Sequence, residues 1–191
     1  MGSIQNRRIP SIALWLTVAV FGLLLLNAEG LMAGGGPAPA QAPMGEMLRI
    51  APGDGDRCPV CAMFPARRPE AAAALTLEDG TTFYFCSNGC LLRAWLRPMA
   101  YLGRPQTAID RLGVLDFFSG EAVDARGAFF VAGSEVTGPM GPAIVALGRE
   151  DHVAVLRKRH GGETVFTLEA LDDDLWHAIS RHRLPADAAA Q

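Results

Sequence analysis

Four cysteines occur in this chain of 191 residues, and all lie between positions 58 and 90. They form two tight pairs, Cys58-Pro59-Val60-Cys61 and Cys86-Ser87-Asn88-Gly89-Cys90. Cysteines used as small apolar core residues would be scattered, whereas two close pairs separated by a hairpin-sized insert can grip one metal ion. Three chemistries suit such a cluster. Four thiolates fit a tetrahedral zinc site. In an oxidising compartment they could instead pair as disulfides, although Cys58–Cys61 or Cys86–Cys90 bridges would close tiny loops and add little stability. Thirdly, soft sulfur selects monovalent copper, and thioether sulfur strengthens that preference. Two methionines enter here: Met63, directly after the first pair, and Met140 in Gly138-Pro139-Met140-Gly141-Pro142. A methionine on a Gly/Pro-flanked loop is poorly placed as core filling, though it can still tuck into a crevice. A thioredoxin-type redox motif fits poorly, because Cys58 precedes no helix.

The remaining polar residues point to no reaction. His152 and His160 fall on one expected helix and His177 and His182 on another, without a paired metal spacing. Asp172-Asp173-Asp174 is an acidic helix start. No nucleophile triad, phosphate loop or dinucleotide fingerprint is present, so an enzyme is not expected. The net charge of −3 and the absence of a basic stripe exclude a nucleic-acid partner.

The elements that must position the cysteines are readable locally. Residues 57–68 are turn-rich, with Pro65 and Pro69 preventing regular structure. Segments 71–77 and 81–85 are strand-prone and flank Asp79-Gly80, a strong hairpin signal. Ser87 or Asn88 caps a helix whose apolar face carries Leu91, Leu92, Trp95 and Leu96, and Pro98 stops it. Knuckle, hairpin and helix in this order are treble-clef-like. A second unit comes next: strands at 114–118 and 128–132 around a turn at 123–127, then a loop at 133–142 with Met140 near its tip. A helix at 150–160 is basic at its end and stopped by Gly161-Gly162, and a strand at 164–168 and a helix at 171–183 complete the unit. The fold class is α+β, a small sheet covered by helices.

The N-terminal region is of another kind. Arg7 and Arg8 precede an apolar run over 12–26, the layout of an export signal, and short for a membrane-spanning helix. The charge asymmetry places the chain beyond this run outside the cytoplasm. Residues 1–29 therefore read as signal peptide or membrane anchor. Residues 30–46 are a Gly/Ala/Pro-rich linker, with a weak cleavage signal at Ala38-Pro39-Ala40. The metal-binding body spans 47–185, and 186–191 form a disordered tail.

Taken in order, these blocks resemble the NosL family. The resemblance is carried by Cys58-Pro59-Val60-Cys61-Ala62-Met63, by Gly80 before Phe83-Tyr84-Phe85-Cys86-Ser87, and by Val123-Asp124-Ala125-Arg126-Gly127-Ala128-Phe129-Phe130-Val131. Gly133-Ser134, the Met140 loop and Gly161-Gly162-Glu163-Thr164-Val165-Phe166 extend it to about Leu171. The resemblance implies a periplasmic copper(I) chaperone. Its partners would be a membrane-associated copper-centre assembly complex and, through it, nitrous oxide reductase, whose copper–sulfide centre it helps to mature. Cys58, Cys61, Met63, Cys86 and Met140 match the family's pattern, and it favours Met140 with one or two cysteines as working ligands. Two departures stand out. Members are usually lipoproteins, yet 24–36 contains no cysteine to take the lipid, which leaves the inner membrane reached through an uncleaved helix, or release after cleavage. Ala62 also stands where glycine is frequent, and Cys90 is a cysteine many relatives lack, which keeps a tighter, zinc-like site open as the alternative.

Overall fold

The computed structural model describes Ala40, Gln41 and residues 49–181. The expected signal or anchor helix, most of the linker, the C-terminal tail and His182 lie outside these residues. No helix among the described residues is long and apolar enough to cross a membrane.

The five residues of β2 (Ala73–Leu77) are all buried, because this strand is flanked on both edges. It pairs antiparallel with β3 (Thr81–Phe85) on one side and with β4 (Ile109–Leu115) on the other. The Thr76 and Thr82 hydroxyls meet at 3.0 Å, which satisfies two polar groups inside the sheet. Asp79 and Gly80 form the expected turn: Asp79 Oδ1 accepts from Thr81 N at 2.9 Å and Gly80 has φ +83°. The strand starts two residues later than 71 because Pro69–Ala71 form a 3-10 turn. β5 (Ala122–Asp124) joins the far edge of β4, and β1 (Ala40–Gln41) joins the free edge of β3, with Ala40 opposite Thr82. Two residues of the stretch read as linker thus form an edge strand.

The second sheet has β6 (Phe129–Ser134) at its centre, between β9 (Val145–Leu147) and β10 (Gly161–Thr167). Alternation along β6 separates two apolar groups. Phe130 and Ala132 join the main core with Leu75, Phe85, Leu91, Leu92, Leu112 and Phe166. Val131 faces the other way, toward Val145, Leu147, Val165 and Leu156. Leu156 is the buried residue of α3 (Glu150–His160), which covers that face. Phe130 and Phe166 sit opposite each other in register and stack with centroids 5.6 Å apart.

Several strand bounds differ from those expected. β4 begins at Ile109 rather than 114 and ends before Phe118. Asp110 and Arg111 hide its alternation, and the turn at 116–120 is fixed by the Asp116 side chain. β5 occupies the start of the expected turn at 123–127. β6 and β10 are shifted by one to three residues from 128–132 and 164–168. β9 was not expected, since three residues carry too little periodicity. The 133–142 loop contains a small hairpin, β7 (Thr137–Gly138) against β8 (Gly141–Pro142).

The helices obey their local signals. In α1 (Asn88–Leu96), Ser87 is the N-cap and accepts from Cys90 N at 3.3 Å. Pro98 ends α1 but also opens a further helix, α2 (Pro98–Leu102), at a position where proline is well tolerated. α3 has the expected bounds and is stopped by Gly161 at φ +69°. α4 (Asp173–Ser180) is capped by Asp172, whose Oδ1 accepts from Leu175 N at 2.8 Å, and is shorter than the expected 171–183. Strands and helices together make an α+β body in which knuckle, hairpin and helix come in the expected order.

Candidate metal centre

The first pair of cysteines is set by a tight knuckle. Cys58 N donates to Met63 O at 2.9 Å, and Ala62 N donates to Cys58 O at 2.8 Å. Closing this loop puts Ala62 at φ +62°, the single non-glycine residue with positive φ among the described residues. Outside it, the Arg57 guanidinium lies 3.9 Å from the Phe64 ring centroid and donates to Ala62 O at 3.2 Å. A left-handed alanine costs about 1–2 kcal/mol. Ala62→Gly is accordingly expected to raise stability by about 1 kcal/mol. A thermal melt showing no gain would contradict this.

The second pair comes from the junction of β3 and α1. Cys86 follows the last residue of β3, and Cys90 lies in the first turn of α1. Cys58, Cys86 and Cys90 are 2%, 1% and 4% exposed, and Cys61 is half-buried. All four are free thiols, with their Sγ atoms within 4.8 Å of one another. Cys61 and Cys86 are 3.3 Å apart, Cys86 and Cys90 3.7 Å, and Cys90 and Cys61 3.8 Å. These separations exceed a disulfide bond and approach the edge of about 3.8 Å implied by four sulfurs 2.3 Å from one ion.

Met140 arrives from the opposite part of the fold. Pro139 and Met140 form the tip of the β7–β8 hairpin, whose base is closed by Ala143 N donating to Val136 O at 2.9 Å. Gly141, at φ +104°, provides the tight turn. Although 58% exposed, Met140 places its Sδ 3.6 Å from Cys90 Sγ and 3.9 Å from Cys86 Sγ. Of the six residues singled out by sequence, five thus converge through sulfur. For Met63 the structure shows a different part: its carbonyl closes the knuckle, and its side chain is 37% exposed.

The thiols share their protons unequally. Hydrogen bonds from the Cys86 and Cys90 thiols hold Cys58 far below the ordinary thiol range, against the opposing effect of burial. The same bonds to Cys58, together with burial, push Cys86 and Cys90 up. The cluster thus favours one thiolate, stabilised by hydrogen bonds from neighbouring thiols. Binding a soft cation would release those protons.

A cleft of about 490 Å³ opens beside the cluster, lined by Cys61, Cys90, Met140, Val60, Ile144 and Trp176. Cys58 and Cys86 lie behind these and do not line it. Among the histidines, His152 sits against Phe118 and His160 against Phe117, with ring centroids 5.2 and 5.6 Å apart. Asp172–Asp174 begin α4 as expected. The sequence pattern gives no role to Arg57 and only a helix cap to Asn88. Both act on backbone carbonyls, which leave no trace in a sequence.

Fold and site define a small α+β protein that gathers buried thiols and one exposed thioether at a single opening. The chain belongs to the NosL family: the family's model matches residues 49–176. It is 29% identical over 129 residues to the "Copper-binding lipoprotein NosL" of Stutzerimonas stutzeri. That match takes in 64% of this chain, which spans about 65% of the relative's length. Among solved structures, the copper chaperone NosL from Shewanella denitrificans shares the fold, with a TM-score of 0.54 at 20% identity. The match covers 69% of this chain and 99% of that one.

Proposed function

We propose that this protein is an exported copper(I) chaperone that delivers its ion for maturation of the copper–sulfide centre of nitrous oxide reductase. The observation that carries the reading is Met140, a residue exposed to solvent whose thioether is in contact with two buried cysteine sulfurs. A resident zinc ion has no use for a thioether, whereas copper(I) favours one. The names of the two relatives, a copper-binding lipoprotein and a copper chaperone, support it.

In this reading Met140 and one or two of the clustered cysteines hold the ion. The thioether is neutral and the more weakly held donor, so it is the ligand that an acceptor's sulfur displaces first. The acceptor would be a membrane-associated assembly complex. The apolar run at 12–26 would export the chain to the periplasm and either remain as an inner-membrane anchor or be removed.

One observation favours a second reading. The four thiols already approach the spacing of a tetrahedral zinc site without help from Met140. Anaerobic titration separates the two. Tight binding of one copper(I) per chain, weakened by Met140→Ala with the fold intact, is the expected result. Unfolding on removal of zinc, with Met140→Ala silent toward both metals, would establish the structural zinc module instead.

A further inference from the structure

The hairpin that carries Met140 has two-residue strands, too short to be rigid alone. Met140 itself is 58% exposed and gains little from packing. Something else must keep its sulfur over the cysteines. Asn88, the first residue of α1, lies between Cys86 and Cys90 in the chain. Its Nδ2 donates to Ile144 O at 2.9 Å. Ile144 lies two residues beyond β8 and directly after Ala143, whose N–H closes the hairpin base. One polar bond therefore ties the cysteine-bearing helix start to the base of the Met140 hairpin.

The residue type matters. α1 is capped by Ser87, so Asn88 is not required as the N-cap. An aspartate, otherwise favourable in a helix's first turn, has no donor for a carbonyl. Asn combines the shape with the N–H. The surroundings are also close: a Cβ on Gly89 would lie 3.9 Å from Ile144 Cδ1, in ordinary contact.

We infer that Asn88 is a positioning residue that holds the Met140 thioether over the Cys86–Cys90 edge and thereby sets how firmly copper(I) is retained. The inference rests on the copper(I) reading above. Without the Asn88 donor the hairpin loses its tie and the thioether leaves the site. The thiols stay, because the knuckle, β3 and the Ser87 cap do not depend on that bond.

The test is a double-mutant cycle on the full chain, with copper(I) affinity measured anaerobically by competition with bicinchoninate. Loss of an outer-shell partner commonly costs about tenfold or more in metal affinity. Asn88→Ala and Asn88→Asp should each weaken binding about tenfold in the wild-type background. In the Met140→Ala background either change should matter by less than about twofold, the scatter above which a double-mutant cycle resolves an effect. Asn88→Asp keeps the side-chain shape and suits a helix start, so it carries the test if the alanine variant folds poorly. An unchanged affinity in the single variants, or an equal loss in both backgrounds, overturns the positioning role. Failure of the wild type to compete for copper(I) would instead overturn the reading on which it rests.

Discussion

Cys86→Ser is expected to weaken copper(I) binding by on the order of 100-fold or more, well beyond the effect of removing Met140. Outer-shell substitutions alone reach about 10–100-fold in metal sites, so losing a central ligand should exceed them. Cys86 is 1% exposed and touches Cys61 at 3.3 Å, Cys90 at 3.7 Å and Met140 Sδ at 3.9 Å. Like Cys90, it touches sulfur from both halves of the site. Serine replaces a soft sulfur with a hard hydroxyl that stays protonated near neutral pH. Removing Met140 takes away only a neutral, exposed donor and leaves all four thiols in place. Competition against a copper(I) chelator gives the order directly. A Cys86→Ser protein that binds within about threefold of the wild type would place the ion elsewhere.

The second large effect is on stability. Asp116→Ala is expected to cost about 3 kcal/mol, because it removes a buried carboxylate that accepts four hydrogen bonds. Asp116 is 4% exposed. Its Oδ1 accepts from Phe118 N at 3.0 Å, Ser119 N at 2.8 Å and Ser119 Oγ at 3.1 Å, while Oδ2 accepts from Gly148 N at 2.7 Å. Gly148 follows the last residue of β9, so the carboxylate pins the end of one sheet to the end of the other. The backbone adds a second link there, Phe117 N to Ala146 O at 3.0 Å. For a chain of this size the loss corresponds to a melting temperature lower by roughly 10 °C. The two joined sheets carry Cys86 and the Met140 hairpin, so the variant should also bind copper(I) more weakly.

The acid dependence arises from the same bonds. Burial pushes the Asp116 carboxyl up, but the amides of Gly148 and Ser119, the Ser119 hydroxyl and the Phe118 amide outweigh it and hold the group below its usual value. A carboxyl whose folded value is depressed stabilises the fold at pH above its unfolded value, about 3.9. That contribution fades as pH falls through the lower, folded value. The gap in stability between wild type and Asp116→Ala should therefore be widest near neutrality and narrow below about pH 4. A gap that stays constant down to about pH 3, measured by denaturant unfolding, would contradict the account.

How far the sequence carried depended on the range of each signal. The cysteine pairs, the Asp79-Gly80 hairpin, the Ser87 cap and the bounds of α3 are all written within a few neighbouring residues. Short-range sterics and hydrogen bonds decide such features, so they were legible. The Pro139-Met140 tip was legible for the same reason, since glycine and proline on either side leave little but a turn. β4 was displaced because its polar edge residues break the alternation, and β9 was missed because three residues hold no period.

The sequence by itself thus determined which soft donors the chain possesses and that Met140 stands on a loop tip. Only the tertiary structure decided that Met140 meets Cys90 across a separation of 50 residues and that Cys61 meets Cys86. It also decided that Asn88 and Asp116 reach backbone groups on either side of β9, far along the chain. The physical reason is common to all three. Convergence depends on how two sheets and a helix pack through non-directional apolar burial, and on backbone partners that every residue supplies alike.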